Sequence, residues 1–365
     1  SSAASDVYKR QILVHPGVYY DDIWFYGKNV VLGSLFLTTG DTSFLSSTII
    51  DGDSTDCTIA IYGNIDSTCR ITGFTIQNGI GCVYGQGAGI YVESASPRLD
   101  NLIIKNNISG TNGGGICLNG NSNSLIDKVL IKNNSADVGG GLYSFNSNPV
   151  ITNSIIQNNH ANNGAGVFLE LCSPNFENVS ITDNYAISSG GGIYCSMTSY
   201  PVLNHVTISN NSASYAGGIL STQNSQPIFS NSILWNDSPE EIVSHPDSIT
   251  IVYSNIQGGW QGAGNINQDP LFCMAEYGDY SLAENSPCLE SGENGVNMGA
   301  FGIGCLTINF PPSEFSLISP ENNYQLFIEE HNENQSLLFR WETSEDENED
   351  NLISVSYTHL RAHET

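Results

Sequence analysis

The chain has 365 residues, 37 acidic against 10 basic, and a formal charge of −27. That balance, with no basic stripe, excludes nucleic acid and anionic membrane surfaces as partners. No apolar run approaches the roughly 18 residues of a membrane span.

In chain order, the clearest elements begin with a glycine-rich turn that recurs six times. It reads Gly87-Ala-Gly-Ile-Tyr91, Gly113-Gly-Gly-Ile-Cys117, Gly139-Gly-Gly-Leu-Tyr143, Gly164-Ala-Gly-Val-Phe168, Gly190-Gly-Gly-Ile-Tyr194 and Ala216-Gly-Gly-Ile-Leu220. The last glycines step by 26, 26, 25, 26 and 26 residues. A fixed period of this size marks a stacked repeat. Each turn is followed by a landmark, usually proline (Pro97, Pro149, Pro174, Pro201, Pro227, with Ser124 in one rung). A short strand and an asparagine-rich stop follow, such as Asn106-Asn107 or Asn158-Asn159. Each period therefore holds two or three short strands with turn chemistry between them. No window carries helical spacing long enough to compete.

Aligned periods give columns. Ile104, Ile131, Ile156, Ile181 and Ile208 form one; Leu99, Ile126, Ile151, Phe176, Leu203 and Phe229 a second; Ile90, Ile116, Leu142, Val167, Ile193 and Ile219 a third. Strand side chains alternate faces, so all three columns point into one interior. Stacked coils bury each aliphatic between the ones above and below. The predicted fold is all-β, a right-handed parallel β-helix rising about 4.8 Å per coil. A fourth column, Asn101, Asn153, Asn178 and Asn231 with Lys128 and His205 as exceptions, is expected to be a structural asparagine ladder.

The Gly-Gly-Gly-Ile-Tyr, Pro-x-Ile-x-Asn and Ile-x-x-Asn-Asn pattern resembles bacterial secreted and cell-surface β-helix repeat proteins. These have the single-stranded pectin-lyase-like fold and are related in style to polymorphic outer-membrane protein repeats. The resemblance implies fold strongly and function weakly, because the fold carries many activities. It extends to Val14-His-Pro-Gly-Val-Tyr19, Gly27-Lys-Asn-Val30, Thr48-Ile-Ile-Asp-Gly52 and Ile71-Thr-Gly-Phe-Thr-Ile-Gln-Asn78, which look like first coils. The short capping helix such proteins usually place before the Pro-Gly-x-Tyr strand is not seen in this sequence.

Near the other end, Asn265-Ile-Asn-Gln-Asp-Pro-Leu-Phe272, Gly278-Asp-Tyr-Ser-Leu282, Ser286-Pro-Cys-Leu289 and Met298-Gly-Ala-Phe301 look like a module closing β-helices of surface-anchored proteins. Phe315-Ser-Leu-Ile-Ser-Pro320 and Leu337-Leu-Phe-Arg-Trp341 look like the opening strands of an incomplete fibronectin-III or Ig-like β-sandwich. Both extremes resemble translated adapter read-through at the edges of metagenomic assemblies, so the chain is read as an internal fragment. The expected organisation is 1–11 foreign, 12–257 β-helix coils, 258–305 terminal coils and closing module, 306–354 truncated sandwich module, and 355–365 foreign.

Among nine cysteines, Cys195 is expected as core filler and Cys117 as outward. Cys57 with Cys69, and two of Cys273, Cys288 and Cys305, are candidate disulfides. No Cys/His spacing suggests zinc. The glycine runs are not phosphate loops, because none continues into Gly-Lys-Ser/Thr or a helix. No Gly-x-Ser-x-Gly elbow exists, and the adjacent Asp pairs, Gly-His-Gly and Arg-x-Lys motifs of galacturonases are missing.

Two candidate sites remain. Asp100 and Asp127 should stack one coil apart, with Lys105, Lys132 and Arg98 near. The cluster reads as an exposed salt-bridge network, or as a calcium or catalytic centre of a polysaccharide lyase or hydrolase. Tyr91, Tyr143, Phe145, Phe168 and Tyr194 form an outward aromatic row, either a ladder stabilising the sheet or a glycan platform. His160 and His205 read as structural. Glu345-Asp-Glu-Asn-Glu-Asp350 reads as a solvated loop, calcium being the alternative. The expected protein is a monomeric, non-catalytic, secreted or bacterial cell-surface β-helix that binds extracellular glycan or a neighbouring cell surface. No cofactor is expected apart from calcium at either acidic cluster. A carbohydrate-active enzyme and a structural spacer are the alternatives.

Overall fold

The structure is a computed structural model that describes residues 10–82, 85–245 and 249–306, with the backbone of two short strands, Leu317–Ser319 and Arg340–Trp341. The chain divides into Ser1–Leu306 and Thr307–Thr365. In the second unit the two short strands pair antiparallel. The rest of the expected sandwich module, the acidic run 345–350 and both extreme termini lie outside the described residues.

The first unit is a parallel β-solenoid with three long facets and a short three-stranded parallel sheet, Ser135–Val138, His160–Asn163 and Tyr185–Ser189, over its middle coils. Facet one runs through ten rungs, from Arg10–Val14 to Thr250–Val252. Facet two includes Gly17–Tyr20, Thr48–Asp51, Ile155–Gln157 and Ile233–Trp235. In the middle coils one eight-residue strand, such as Arg98–Lys105 or Val202–Ser209, serves both facets. Facet three has nine strands, from Ile23–Tyr26 to Ile242–Ser244. Two single-turn helices that the sequence pattern did not reveal, Phe36–Thr39 and Ser43–Ser47, decorate an early coil.

The expected aliphatic columns are in register. Ile104, Ile131, Ile156, Ile181 and Ile208 are direct neighbours along facet two and are all buried. The column continues to Ile76 on one side and Leu234 on the other. Burying each such side chain contributes about 1.5–3 kcal/mol. Cys195 fills the core as expected.

The asparagine positions divide into two kinds. Asn101, Asn153, Asn178 and Asn231 all occupy the left-handed region, and so do Lys128 and His205 in the same column. This column marks the bend between facets one and two, where asparagine tolerates positive φ best among residues with a side chain. Its side chains make no continuous ladder. Asn178 donates to Asn153 at 3.4 Å, but Asn101, Asn153 and Asn231 turn to Asp100, Asp127 and Asn204.

The continuous ladder is the second asparagine of each polar stop. Asn107, Asn134, Asn159, Asn184 and Asn211 are buried. Each side-chain amide donates to the side-chain oxygen of the next at 2.9–3.1 Å. The same oxygen accepts the preceding asparagine's backbone N–H, and each amide also reaches a carbonyl of the preceding coil, Ile131 in the case of Asn159. The motif glycines belong to this arrangement. A Cβ on Gly141 would stand 2.6 Å from the Gly166 carbonyl, 2.8 Å from Ile156 Cγ2 and 3.0 Å from Asn159 Nδ2.

Asp237 ends the ladder. Its Oδ1 accepts both the backbone N–H and the side-chain amide of Asn211, at 2.7 and 2.8 Å. Its Oδ2 and Glu241 Oε2 are buried without a hydrogen-bond partner. Burial first, and the Glu241 carboxylate second, hold the Asp237 carboxyl well above the usual carboxylate range.

Beyond the last coil the chain turns back along the outside of facet two. Phe272–Met274, Asp279–Ala283 and Ile303–Cys305 form a small sheet, and Cys273 is bonded to Cys305. Leu282, Cys288 and Met298 pack with Ile233. Tyr280 Oη donates to Asp183, and the Ala300 N–H donates to Thr207. Cys57 and Cys69 are not a disulfide: Cys69 sits inside the solenoid core, whereas Cys57 belongs to an apolar cluster outside it.

Two predictions follow from the ladder. Asn159→Ala strips acceptors from two donors of Asn134, and at about 1–3 kcal/mol per buried orphan chemical denaturation should show a loss of several kcal/mol. Asp237→Asn should flatten the pH dependence. A carboxyl whose folded pKa is raised contributes stability fully below the ordinary value of 3.8, and loses it as pH rises through the folded value. Wild type should therefore melt lower at neutral than at mildly acidic pH, and the variant should melt higher than wild type at neutral pH.

Candidate functional site

Facet three carries two outward columns. The first is Trp24, Ala60, Tyr91, Cys117, Tyr143, Phe168, Tyr194 and Leu220. It was expected to face solvent, but Tyr91 and Tyr143 are buried, while Phe168 and Tyr194 are half-buried. The cause is the glycine turn, which folds over the column: a Cβ on Gly139 would lie 2.8 Å from Tyr143 Cβ. Gly139 also has φ near +69°, which a larger residue adopts at a cost. Tyr91, Cys117 and Tyr143 join Cys57, Ala60 and Cys82 in an apolar cluster outside the core.

The second outward column is exposed at its start, at Tyr26, and half-buried beyond it. It runs Tyr26, Tyr62, Glu93, Asn119, Phe145 and Glu170, one residue per coil. At its start Trp24, Tyr26 and Tyr62 make a three-ring group, with centroids 5.6–6.0 Å apart and planes within 20°. Trp24 is 36% and Tyr26 62% exposed. Polar groups follow: Tyr91 Oη donates to Glu93 at 3.2 Å, Asn119 Nδ2 donates to Tyr91 Oη at 3.4 Å, and Tyr143 Oη donates to Glu170 at 2.8 Å. Burial, ahead of these carboxylate contacts, pushes both tyrosine hydroxyls above the usual phenol range. They stay protonated and serve as fixed donors.

Of the residues expected in the aromatic row, only Phe145 lies in this second column. Trp24, Tyr26, Tyr62, Glu93, Asn119 and Glu170 were not anticipated. The signal was present in Ile23-Trp-Phe-Tyr26 and Ile59-Ala-Ile-Tyr62, whose alternation matches the later rungs without their glycines.

Glu93 and Glu170 stand three rungs apart, about 14 Å at about 4.8 Å per strand. Paired carboxylates in glycoside hydrolysis stand about 5–9.5 Å apart. These two cannot share one bond.

The structure brings Asp100, Asp127 and Arg98 together and adds Arg70. Asp100 and Asp127 are register neighbours, as expected. Asp100 is fully buried. Its Oδ1 accepts from Arg70 Nε at 2.6 Å and Arg98 Nε at 2.8 Å; its Oδ2 accepts from Arg70 Nη2, Thr72 and Asn101 at 2.6–2.9 Å. Burial alone would raise its pKa, but the Arg70 pair and the Asn101 and Thr72 bonds outweigh it and hold the carboxyl below the usual range. Asp127 accepts from Thr152 and Asn153 and lies 3.8 Å from Arg98 Nη2. All acceptor positions of Asp100 are taken by protein donors, so it offers nothing to calcium or to a reacting proton. The network is buried at its centre rather than exposed. Lys105 and Lys132 are neighbours on facet two, beyond the bend, and join none of the ion pairs among the described residues. His160 lies against Tyr185, and His205 holds a bend position.

With this geometry in view, the family described as right handed beta helix region matches residues 34–211. Over those coils the chain is similar to that family. The crystal structure of pectate lyase Pel9A matches at 11% identity and a TM-score of 0.49, covering 80% of this chain and 88% of that one. No curated protein matches.

Asp100→Ala should act on stability. It leaves Arg70, Thr72 and Asn101 without their shared acceptor, and with Arg70 partly exposed the loss should be about 1–3 kcal/mol. A thermal melt of the variant within a degree of wild type would contradict this account.

Proposed function

We propose that this chain is a non-catalytic, extracellular glycan-binding β-helix, secreted or displayed on a bacterial cell surface, whose contact site is the second outward column of facet three. The observation that carries this reading is the stacked group of exposed Trp24 and Tyr26 with half-buried Tyr62, continued by Glu93, Asn119, Phe145 and Glu170 in register. Sugar rings present apolar C–H faces to aromatic rings and hydroxyls to carboxylates and amides, and this column carries both kinds of group. Its repeat of about 4.8 Å per rung is close to the length of one sugar residue, which favours an extended chain lying along the solenoid axis. The wide separation of Glu93 and Glu170 and the saturated Asp100 support binding without bond cleavage.

Glycan arrays followed by calorimetry test this. Wild type should retain one class of extended polysaccharide, and Trp24→Ala with Tyr26→Ala should weaken binding by about 1–3 kcal/mol per ring, the scale of lost aromatic contact. Turnover of a retained polysaccharide, or binding indifferent to both substitutions, would refute the proposal.

A further inference from the structure

We propose that Asp22, Asp56, Cys57 and Cys82 form a binding site for a thiophilic divalent cation of the zinc class. The four residues occupy the same turn in three successive coils. Asp22 immediately precedes the facet-three strand Ile23–Tyr26. Asp56 and Cys57 lead into Ile59–Tyr62, and Cys82 lies in the turn leading to Ile90–Glu93. Parallel stacking therefore brings together side chains far apart in sequence, which is why no short Cys-x-x-Cys spacing announces them.

One donor atom from each of Asp56, Cys57 and Cys82 lies within 4.8 Å of the others. Sulfurs on a tetrahedral zinc, with bonds of about 2.3 Å, stand about 3.8 Å apart. Closing the set around an ion needs side-chain adjustments of about 1 Å. Cys57 is fully buried and Cys82 nearly so.

Asp22 supplies the second, independent observation. Its Oδ1 is buried and has no hydrogen-bond partner, a costly state for a carboxylate oxygen. Its carboxyl is pushed up first by burial and next by the charge of Asp56, and the Cys57 thiol also feels Asp22. A cation would answer the orphaned oxygen, the repulsion between Asp22 and Asp56 and the crowding of two sulfurs together. A Cys57–Cys82 disulfide would answer only the last. Sulfur donors favour zinc and cadmium over calcium or magnesium, which require oxygen. Both thiols would lose their protons on binding. The ion would tie together the coils that carry Trp24, Tyr26 and Tyr62; Tyr62 Oη already reaches Cys82 Sγ at 3.9 Å.

The test is a cadmium titration of the full chain, reduced with a non-thiol reductant, read by the ultraviolet thiolate-to-cadmium absorbance. The expected result is a band saturating at one ion per chain, displaced by zinc and not by calcium, with a rise in melting temperature. Cys57→Ser and Cys82→Ser should each abolish the band; Asp22→Asn should keep it and weaken cadmium binding. No saturable band in wild type, displacement by calcium, or an undiminished band in the Cys57→Ser/Cys82→Ser double variant would overturn the proposal. If the cysteine variants do not fold, the wild-type titration and Asp22→Asn decide it.

Discussion

A row of buried amides governs this solenoid. Hydrophobic columns alone tolerate sliding, since one aliphatic packs on another at many offsets. The ladder Asn107, Asn134, Asn159, Asn184 and Asn211 does not, because each amide must meet the next oxygen and a backbone carbonyl together. A shift of one residue would leave several buried donors and acceptors unmet in every coil. At about 1–3 kcal/mol per orphan, that penalty exceeds what the shifted aliphatic contacts would recover. The columns supply most of the stabilisation, and the ladder fixes the register.

The same row explains the glycines and, through them, the outer surface. The last glycine of each motif faces the ladder and the next coil's carbonyl, leaving no room for a methyl group. The first glycine turns the chain back over the residue two after the motif. Tyr91, Cys117 and Tyr143 are covered for that reason. The earliest coils lack the glycine motif. There Trp24 and Tyr26 keep their exposure.

The sequence period made the coils and the core columns legible, because those depend on repetition. Two things were not legible for physical reasons. Asparagine serves both at a bend and in a buried ladder, and the two roles share one letter. Lys128 and His205 in the bend column show that backbone conformation is the shared property there, while no such substitution interrupts the run from Asn107 to Asn211. Outwardness was read as exposure, yet alternation gives direction only; a neighbouring loop decides whether solvent reaches the side chain. The aromatic row lost its exposure on that distinction, while the stacking of Tyr143, Phe168 and Tyr194 keeps its alternative reading as a ladder across the coils. The Asp100 and Asp127 cluster is the salt-bridge network the sequence suggested, but buried at its centre, since the saturating partner Arg70 comes from a coil that the aligned repeats did not include.

Chemistry in a stacked repeat concentrates where the repetition fails. A side chain recurring in every coil is constrained by its copies above and below, so it serves structure first. The irregular rungs escape that constraint. Asp100 with Arg70 is one such place and resolves into a closed network. Asp237 with Glu241 is another, where a carboxyl replaces the next amide and introduces a proton that the ladder itself does not hold. The turns bearing Asp22, Cys57 and Cys82 precede the first full glycine motif, and they alone among these irregular places combine soft donors with an orphaned carboxylate oxygen. Irregularity in the first coils thus puts the open rings and the donor cluster on adjacent surfaces of the same three rungs. What happens at one should be felt at the other through the stiffness of the stack between them.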